Sequence, residues 1–328
     1  MHGSPNVKLY VGEIVYGDGD VPFEVTGDNP GDCQFRAKSV LFHKENCLNE
    51  IVKRFPADWK YGAYIDGDFS FTRHDWALEA VHQLQLHPFV QLFSAYTDLT
   101  SATHGGHQPM SASKSFAATF IGNGHRLPST APAGGWSQNV NPKAATASTA
   151  QQMSFYAPAG ESQCMTVGVS KSAAAAAPAW IPVGATGGAW AFTRNAFDAV
   201  GGMMDQCILG HADWFMAFGL VSQPTRGEIA DSRYHPHYTA MVEAWQTKAA
   251  ALKSDIGAVD GFAVHHWHGS KRNRGYDDRD FILVRNQFDP IADLRRNAYG
   301  IYELAGNKPQ LRDDILRYFY QRNEDDLK

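Results

Sequence analysis

The sequence predicts an α/β fold, a mixed sheet flanked by helices, on three observations. Strand and helix patterns alternate over the amino-terminal third; one apolar run among them ends abruptly in two carboxylates, Asp66-Gly67-Asp68; and after a long stretch dominated by Gly, Ala, Ser, Thr, Pro and Asn a second ordered half begins at Trp180. Alternating strands and helices are the pattern of a layered α/β sheet. In open sheets of that kind, ligands collect where the carboxyl ends of the strands emerge.

The elements follow in order. Residues 7–15 alternate toward a strand and break at Gly17-Asp18-Gly19-Asp20. After a polar loop, Leu48, Ile51, Val52 and Phe55 recur at helical spacing within 44–55, the stripe of an amphipathic helix that Pro56 stops. A buried strand then leads into Asp66-Gly67-Asp68. A helix is expected over 73–86, with Thr72 and Asp75 spaced as a capping box and Trp76, Ala80 and Leu84 on one face. Residues 88–93 read as the next strand. The stretch 101–179, which includes Ala173 to Ala177, has the length of an insertion or functional lid, with short strands expected at 115–121, 153–156 and 165–169.

Order resumes over 180–192, where Gly184, Gly187 and Gly188 allow close backbone approach. Thr193 caps a helix that ends at Gly201-Gly202, and another starts at Asp213. An apolar run enters His265-His266-Trp267-His268-Gly269, followed by a basic cluster of Lys271, Arg272, Arg274 and Arg279. Helical patterns follow at 290–302 and 311–322, the last with Leu311, Ile315, Tyr318, Phe319 and Arg322 on one face. Four parts result: 1–100, 101–179, 180–270 and 271–328.

With 328 residues, 44% hydrophobic and 12% aromatic, the chain can bury an extensive core. No run approaches the roughly 20 consecutive apolar residues of a membrane helix. Met-His-Gly-Ser-Pro-Asn lacks a charged-then-apolar signal layout, so a soluble, cytoplasmic protein is expected. Cys33, Cys47, Cys164 and Cys207 are scattered, which suggests reduced structural thiols rather than a zinc knuckle or disulfide framework. A net charge of −5 gives no overall attraction to nucleic acid, although the basic cluster is suited to meeting a polyanion locally.

Three separated segments carry residues suited to one site: Asp66 and Asp68; Gly187-Gly188 through Gly210-His211-Ala212-Asp213-Trp214; and His265-His266-Trp267-His268. Mg²⁺ and Mn²⁺ take carboxylate and phosphate oxygen, and Mn²⁺ also accepts imidazole. On a strand, alternation puts His266 and His268 on one face and His265 on the other. His268 is then the first candidate ligand, with His266 and His265 competing for second place. Each residue also has a plainer reading: Asp66 and Asp68 as solvated acids of a turn, Asp213 as a helix N-cap, Trp190, Trp214 and Trp267 as core aromatics, and the basic cluster as a solvated turn rather than a lid on a diphosphate.

The order of these motifs resembles the metal-dependent GT-A glycosyltransferases, and most closely the β-1,4-galactosyltransferase and polypeptide N-acetylgalactosaminyltransferase group. Phe42-His43-Lys44-Glu45-Asn46-Cys47-Leu48-Asn49 stands where that group has F-N-R-A-x-L-L-N, Asp66 and Asp68 match its D-x-D, and Gly187-Gly188 through Phe197 to Gly201-Gly202 matches its G-G…F…N-G-F element. Leu209-Gly210-His211-Ala212-Asp213 falls at its W-G-G-E-D, keeping only the aspartate, and His265-x-x-His268 falls at its M-x-x-H. The chain is also similar to uncharacterised glycosyltransferase-like proteins of phages and bacteria, through His266-Trp267-His268-Gly269 and Arg322-Asn323-Glu324-Asp325.

The resemblance implies a single nucleotide-sugar-binding domain and a Mn²⁺ or Mg²⁺ cofactor held by Asp68 with His268, His266 or His265. Asp66 would lie near the ribose or the metal's water shell. Lys44, Gly187, Gly188, Lys271 and Arg274 would face the nucleotide sugar, a UDP-sugar in the first instance, and Asp213 would be the catalytic base. The acceptor is a hydroxyl of a glycan or protein, or a hydroxymethylated pyrimidine in DNA. One departure is large: residues 7–15 correspond to the family's second strand, so its base-holding first strand either lies outside this chain or is replaced by another segment, and Glu13 is a candidate nucleoside contact. Two other classes compete, a metal-dependent phosphoester hydrolase and a non-catalytic carbohydrate-binding protein.

Overall fold

β1 (Val11–Tyr16) and β2 (Asp32–Ala37) run parallel, Val11 opposite Asp32 and Tyr16 opposite Ala37, in a computed structural model that describes residues 7–17, 19–101, 106–127, 183–223, 233–275 and 279–322, leaving aside the side chain of Arg272. β2 corrects the polar-loop reading of this region. Its buried residues, Cys33, Phe35 and Ala37, alternate with Asp32, Gln34 and Arg36, a half-buried strand only one side of which is apolar. α1 (Lys44–Val52) covers the buried side with Cys47 and Ile51. Burial pushes the Glu13 carboxyl up, but it accepts from the backbone N–H groups of Glu24, Val25 and Thr26, which carry it down to about 2 and make it an anchor of that loop.

β3 (Tyr61–Ile65) and β4 (Phe69–Phe71) flank Asp66-Gly67-Asp68, and the Phe69 N–H donates to the Asp66 carbonyl at 3.0 Å, reversing the chain tightly. α2 (Trp76–Leu84) buries Ala80 and Leu84 as its stripe requires. The expected capping box is absent: Asp75 is engaged by Arg73 at 2.7 Å, and the Thr72 hydroxyl donates to the Phe262 carbonyl. β5 (Phe89–Gln91), β6 (Ala95–Asp98) and β7 (Ser113–Lys114) follow. Residues 115–121, expected as a strand, belong instead to α3 (Phe116–Gly122). The Ser115 side chain accepts from the Ala118 N–H there, and Phe116, Ala117 and Phe120 share a buried face. A short apolar run does not by itself distinguish a strand from a buried helix.

β8 (Ala189–Thr193) and α4 (Arg194–Val200) come next, with the Thr193 side chain accepting from the Ala196 N–H as a helix cap. α5 (Ala212–Leu220) places Asp213 inside its first turn, so Asp213 is not the N-cap; that position belongs to His211, at φ 74°. α6 (Pro236–Ala250), β9 (Ile256–Ala258) and β10 (Phe262–His265) lead to a 3₁₀ turn, Lys271–Arg274, and α7 (Arg279–Arg285). Residues 290–302, expected as a helix, form a hairpin of β11 (Leu294–Arg296) and β12 (Tyr302–Leu304). The Asn297 side-chain oxygen accepts from the Tyr299 and Ile301 N–H groups, a local turn that competes with the helix. α8 (Pro309–Arg322) buries Leu311, Ile315, Tyr318 and Arg322, much as its periodicity requires.

The strands form a mixed α/β architecture. One sheet has the order β3-β8-β5-β9 and the other β4-β10-β6-β7, each with one parallel and two antiparallel pairings. The main core, which includes Trp190, Phe192, Phe197, Phe215 and Trp245, joins the first sheet to α3–α6. Each such side chain contributes about 1.5–3 kcal/mol by leaving water. Cys33, Cys47 and Cys207 are buried free thiols. Cys164, the strands expected at 153–156 and 165–169, Trp180 and residues 323–325 lie outside the described residues. Among the described residues no helix is long and apolar enough to cross a membrane.

Candidate metal centre

Strand register brings the site together. β10 runs parallel to β6 with His265 opposite Asp98, and antiparallel to β4 with His265 opposite Phe69. Asp68, one residue before Phe69, therefore emerges beside His265 at the carboxyl end of the parallel pair. β10 stops at His265, so the alternation expected for the histidines does not continue. His268 folds back toward His265, while His266 turns outward to Ser70, its Nε2 at 2.7 Å from Oγ. His266 is thereby separated from the ligand cluster, and only its backbone N–H reaches Asp68, donating to the carbonyl at 2.7 Å.

Asp68 Oδ2 lies 2.7 Å from His268 Nε2 and 3.2 Å from His265 Nε2, and the two imidazole nitrogens are 3.2 Å apart. Cis ligands about 2.1 Å from one cation stand about 3.0 Å apart, so the three atoms have the spacing of one face of a coordination shell. Two further observations fit a cation. Asp68 Oδ1 is buried with no hydrogen-bond partner. His268 Nε2 is also 2.7 Å from Arg274 Nη2. A guanidinium only donates, which calls for a lone pair on that nitrogen. A lone pair and a carboxylate oxygen at 2.7 Å repel unless positive charge lies between them. Asp68, His265 and His268 would hold the ion, and two imidazoles favour Mn²⁺ over Mg²⁺.

A second layer supports this one. His265 Nδ1 is 2.6 Å from Asp98 Oδ1, and Asp98 Oδ2 accepts from Lys271 Nζ at 2.6 Å. Burial pushes the Asp98 carboxyl up, yet the hydrogen bonds from His265 and Lys271 carry it below its ordinary value. Asp98 was missed by sequence reasoning; its one signal was a carboxylate closing a short strand, as Asp66 does. The basic residues grouped in the sequence are absorbed here and do not form an exposed stripe among the described residues. Lys271 pairs with Asp98, Arg274 lies on His268, and Arg279 is buried.

Across Gly67 the chemistry reverses. Asp66 accepts from Lys44 Nζ at 3.2 and 3.4 Å, and Lys44 also approaches Glu45 at 3.7 Å. Burial raises the Asp66 carboxyl above its usual value, with Lys44 opposing and Asp68 adding to the rise. Glu45, 3% exposed, is pushed up to about 7 by burial, against the pull of Lys44 and with the push of Asp213. Asp213 itself accepts from the Thr186 hydroxyl at 3.3 Å. A Cβ on Gly187 would stand 2.6 Å from Asp213 Oδ2, and one on Gly188, at φ 90°, would strike the Phe69 ring at 2.6 Å. Both glycines thus permit the packing that forms the site. His211, with Nδ1 at 3.0 Å from Asp280, fixes the turn that starts α5. Trp190 is a core aromatic, its Nε1 donating to the Thr186 carbonyl.

A second trio, His235, His237 and Asp289, has the same donor set. There His237 Nδ1 contacts Asp289 Oδ1 at 2.9 Å, and His235 Nδ1 accepts from the His237 N–H as the cap of α6. No family model, curated protein or solved structure matches the chain.

Proposed function

We propose that the chain is a metal-dependent glycosyltransferase of the GT-A type, moving a sugar from a nucleotide-sugar donor to a hydroxyl acceptor. The observation that supports it most is the Asp68, His265 and His268 face, with ligand atoms 2.7–3.2 Å apart, standing one residue from the Lys44–Asp66 pair. When bound, Mn²⁺ would supply positive charge against the departing diphosphate. Lys44 would add its ammonium on the same side. Asp213 would take the proton of the attacking hydroxyl as the new glycosidic C–O bond forms and the bond from the sugar to phosphate breaks, a single inverting displacement.

Because Lys271, Arg274 and Arg279 are engaged within the protein, a glycan, protein or small hydroxyl acceptor is favoured over DNA. Transfer to hydroxymethylated DNA with a steep salt dependence would reverse that preference. Three protein ligands also leave open positions for water on a metal, the arrangement of a phosphoester hydrolase. One screen separates the readings: nucleotide sugars and simple phosphoesters, each with and without Mn²⁺, followed for nucleotide and phosphate release. Mn²⁺-dependent donor cleavage is expected. Absence of both turnover and metal-dependent nucleotide binding refutes the transferase, and phosphate release from simple esters alone establishes the hydrolase.

A further inference from the structure

We infer that Asp98 is a positioning residue of the metal centre: it fixes the proton of His265 on Nδ1, so that Nε2 presents its lone pair beside Asp68 and His268, and it ties that histidine to Lys271. This rests on the metal reading above. An ionised carboxylate only accepts, so the 2.6 Å contact between Asp98 Oδ1 and His265 Nδ1 requires the proton on Nδ1. The tautomer that remains is the one able to ligate through Nε2, the nitrogen 3.2 Å from both Asp68 Oδ2 and His268 Nε2. Histidine ligands to metals ordinarily have such a partner on the far ring nitrogen.

Two features separate this contact from an incidental surface ion pair. Asp98 and His265 are partners in the β6–β10 ladder, so backbone register brings them together, and both side chains are largely buried, at 16% and 14% exposure. Lys271 completes the unit. Its Nζ lies 2.6 Å from the second Asp98 oxygen, so the buried carboxylate has both oxygens engaged and cannot rotate away from the imidazole without losing the ammonium. Lys271 belongs to the turn that also carries Arg274 onto His268. Each histidine ligand is therefore reached from one short segment.

The test uses the full chain and Mn²⁺ alone, with no nucleotide sugar. In metal-free protein at alkaline pH, where imidazole is neutral, ¹⁵N spectra of the histidines should show His265 protonated on Nδ1, and Asp98→Ala should lose that preference. Mn²⁺ binding followed by electron paramagnetic resonance should weaken by about 10- to 100-fold in Asp98→Ala. Asp98→Asn, which keeps an oxygen acceptor, should lose less, and Lys271→Met less than Asp98→Ala. Thermal melts identify any variant that fails to fold, in which case Asp98→Asn carries the comparison. Equal Mn²⁺ affinity in the wild type and a folded Asp98 variant, or a wild-type His265 protonated on Nε2, overturns the inference while leaving the metal centre intact. A wild-type chain that takes up no Mn²⁺ overturns the metal reading, and with it the role given to Asp98.

Discussion

Asp68, His265 and His268 form a trio with the same donor set as His235, His237 and Asp289, yet the hydrogen bonds of the two run in opposite senses. In the first, Nδ1 of His265 is tied to Asp98 and its Nε2 points inward at Asp68 and His268. In the second, Nδ1 of His235 accepts the His237 N–H, so a neutral ring carries its proton on Nε2, the nitrogen 3.8 Å from Asp289 Oδ2. Asp289 is further occupied by the Ile291 N–H. Composition alone is therefore a poor guide to a metal site. What distinguishes one is whether outer contacts leave lone pairs converging, and in the second trio His235 has spent its Nδ1 lone pair on capping α6.

The largest expected effect comes from removing a ligand. Asp68→Ala and His268→Ala should each weaken Mn²⁺ binding by more than about 100-fold, whereas His237→Ala should leave the calorimetric stoichiometry unchanged; loss of one equivalent in His237→Ala would break the contrast. Next, Asp213→Asn should lower kcat by about 10²- to 10⁴-fold with Mn²⁺ affinity unaltered, which would separate proton transfer from metal holding. An equal loss of both would merge them. A smaller effect probes the acid-rich side. Glu45 titrates at about 7 when folded against an ordinary 4.5, so between those values the folded chain holds the extra proton and stability falls as pH rises. Glu45→Gln should remove this component, on the order of 3 kcal/mol, from denaturant stability compared at pH 4.5 and 8. An unchanged pH slope would exclude Glu45 as its source. Smallest, His235→Ala should cost about 1 kcal/mol through the lost helix cap, measured by urea unfolding, with Mn²⁺ binding retained.

Asp66, Asp68 and Lys44 were legible because they are signalled locally. An apolar run ending in Asp66-Gly67-Asp68 marks a strand end, and Lys44 opens a clear amphipathic helix. What was hidden depends on contacts distant in sequence. Asp98 and His265 are separated by 167 positions, and a four-residue strand such as β6 has no pattern that points to its partner. The choice between His265 and His266 stayed open in the sequence because alternation holds only while the strand lasts, and β10 ends at His265. The β11–β12 hairpin was mistaken for a helix because its apolar residues fit helical spacing, while the Asn297 turn that decides the matter is made by side-chain hydrogen bonds.

The ladder between β6 and β10 also determines which length changes the centre tolerates. Loops joining the two strands can grow or shrink without changing the distance from Asp98 to His265, because that distance is set by neighbouring backbones. A single residue gained inside β6 just before Asp98 would instead turn that carboxylate to the opposite face of the sheet. Long insertions elsewhere in the chain are thus compatible with an unaltered site, and one misplaced residue in a four-residue strand is not.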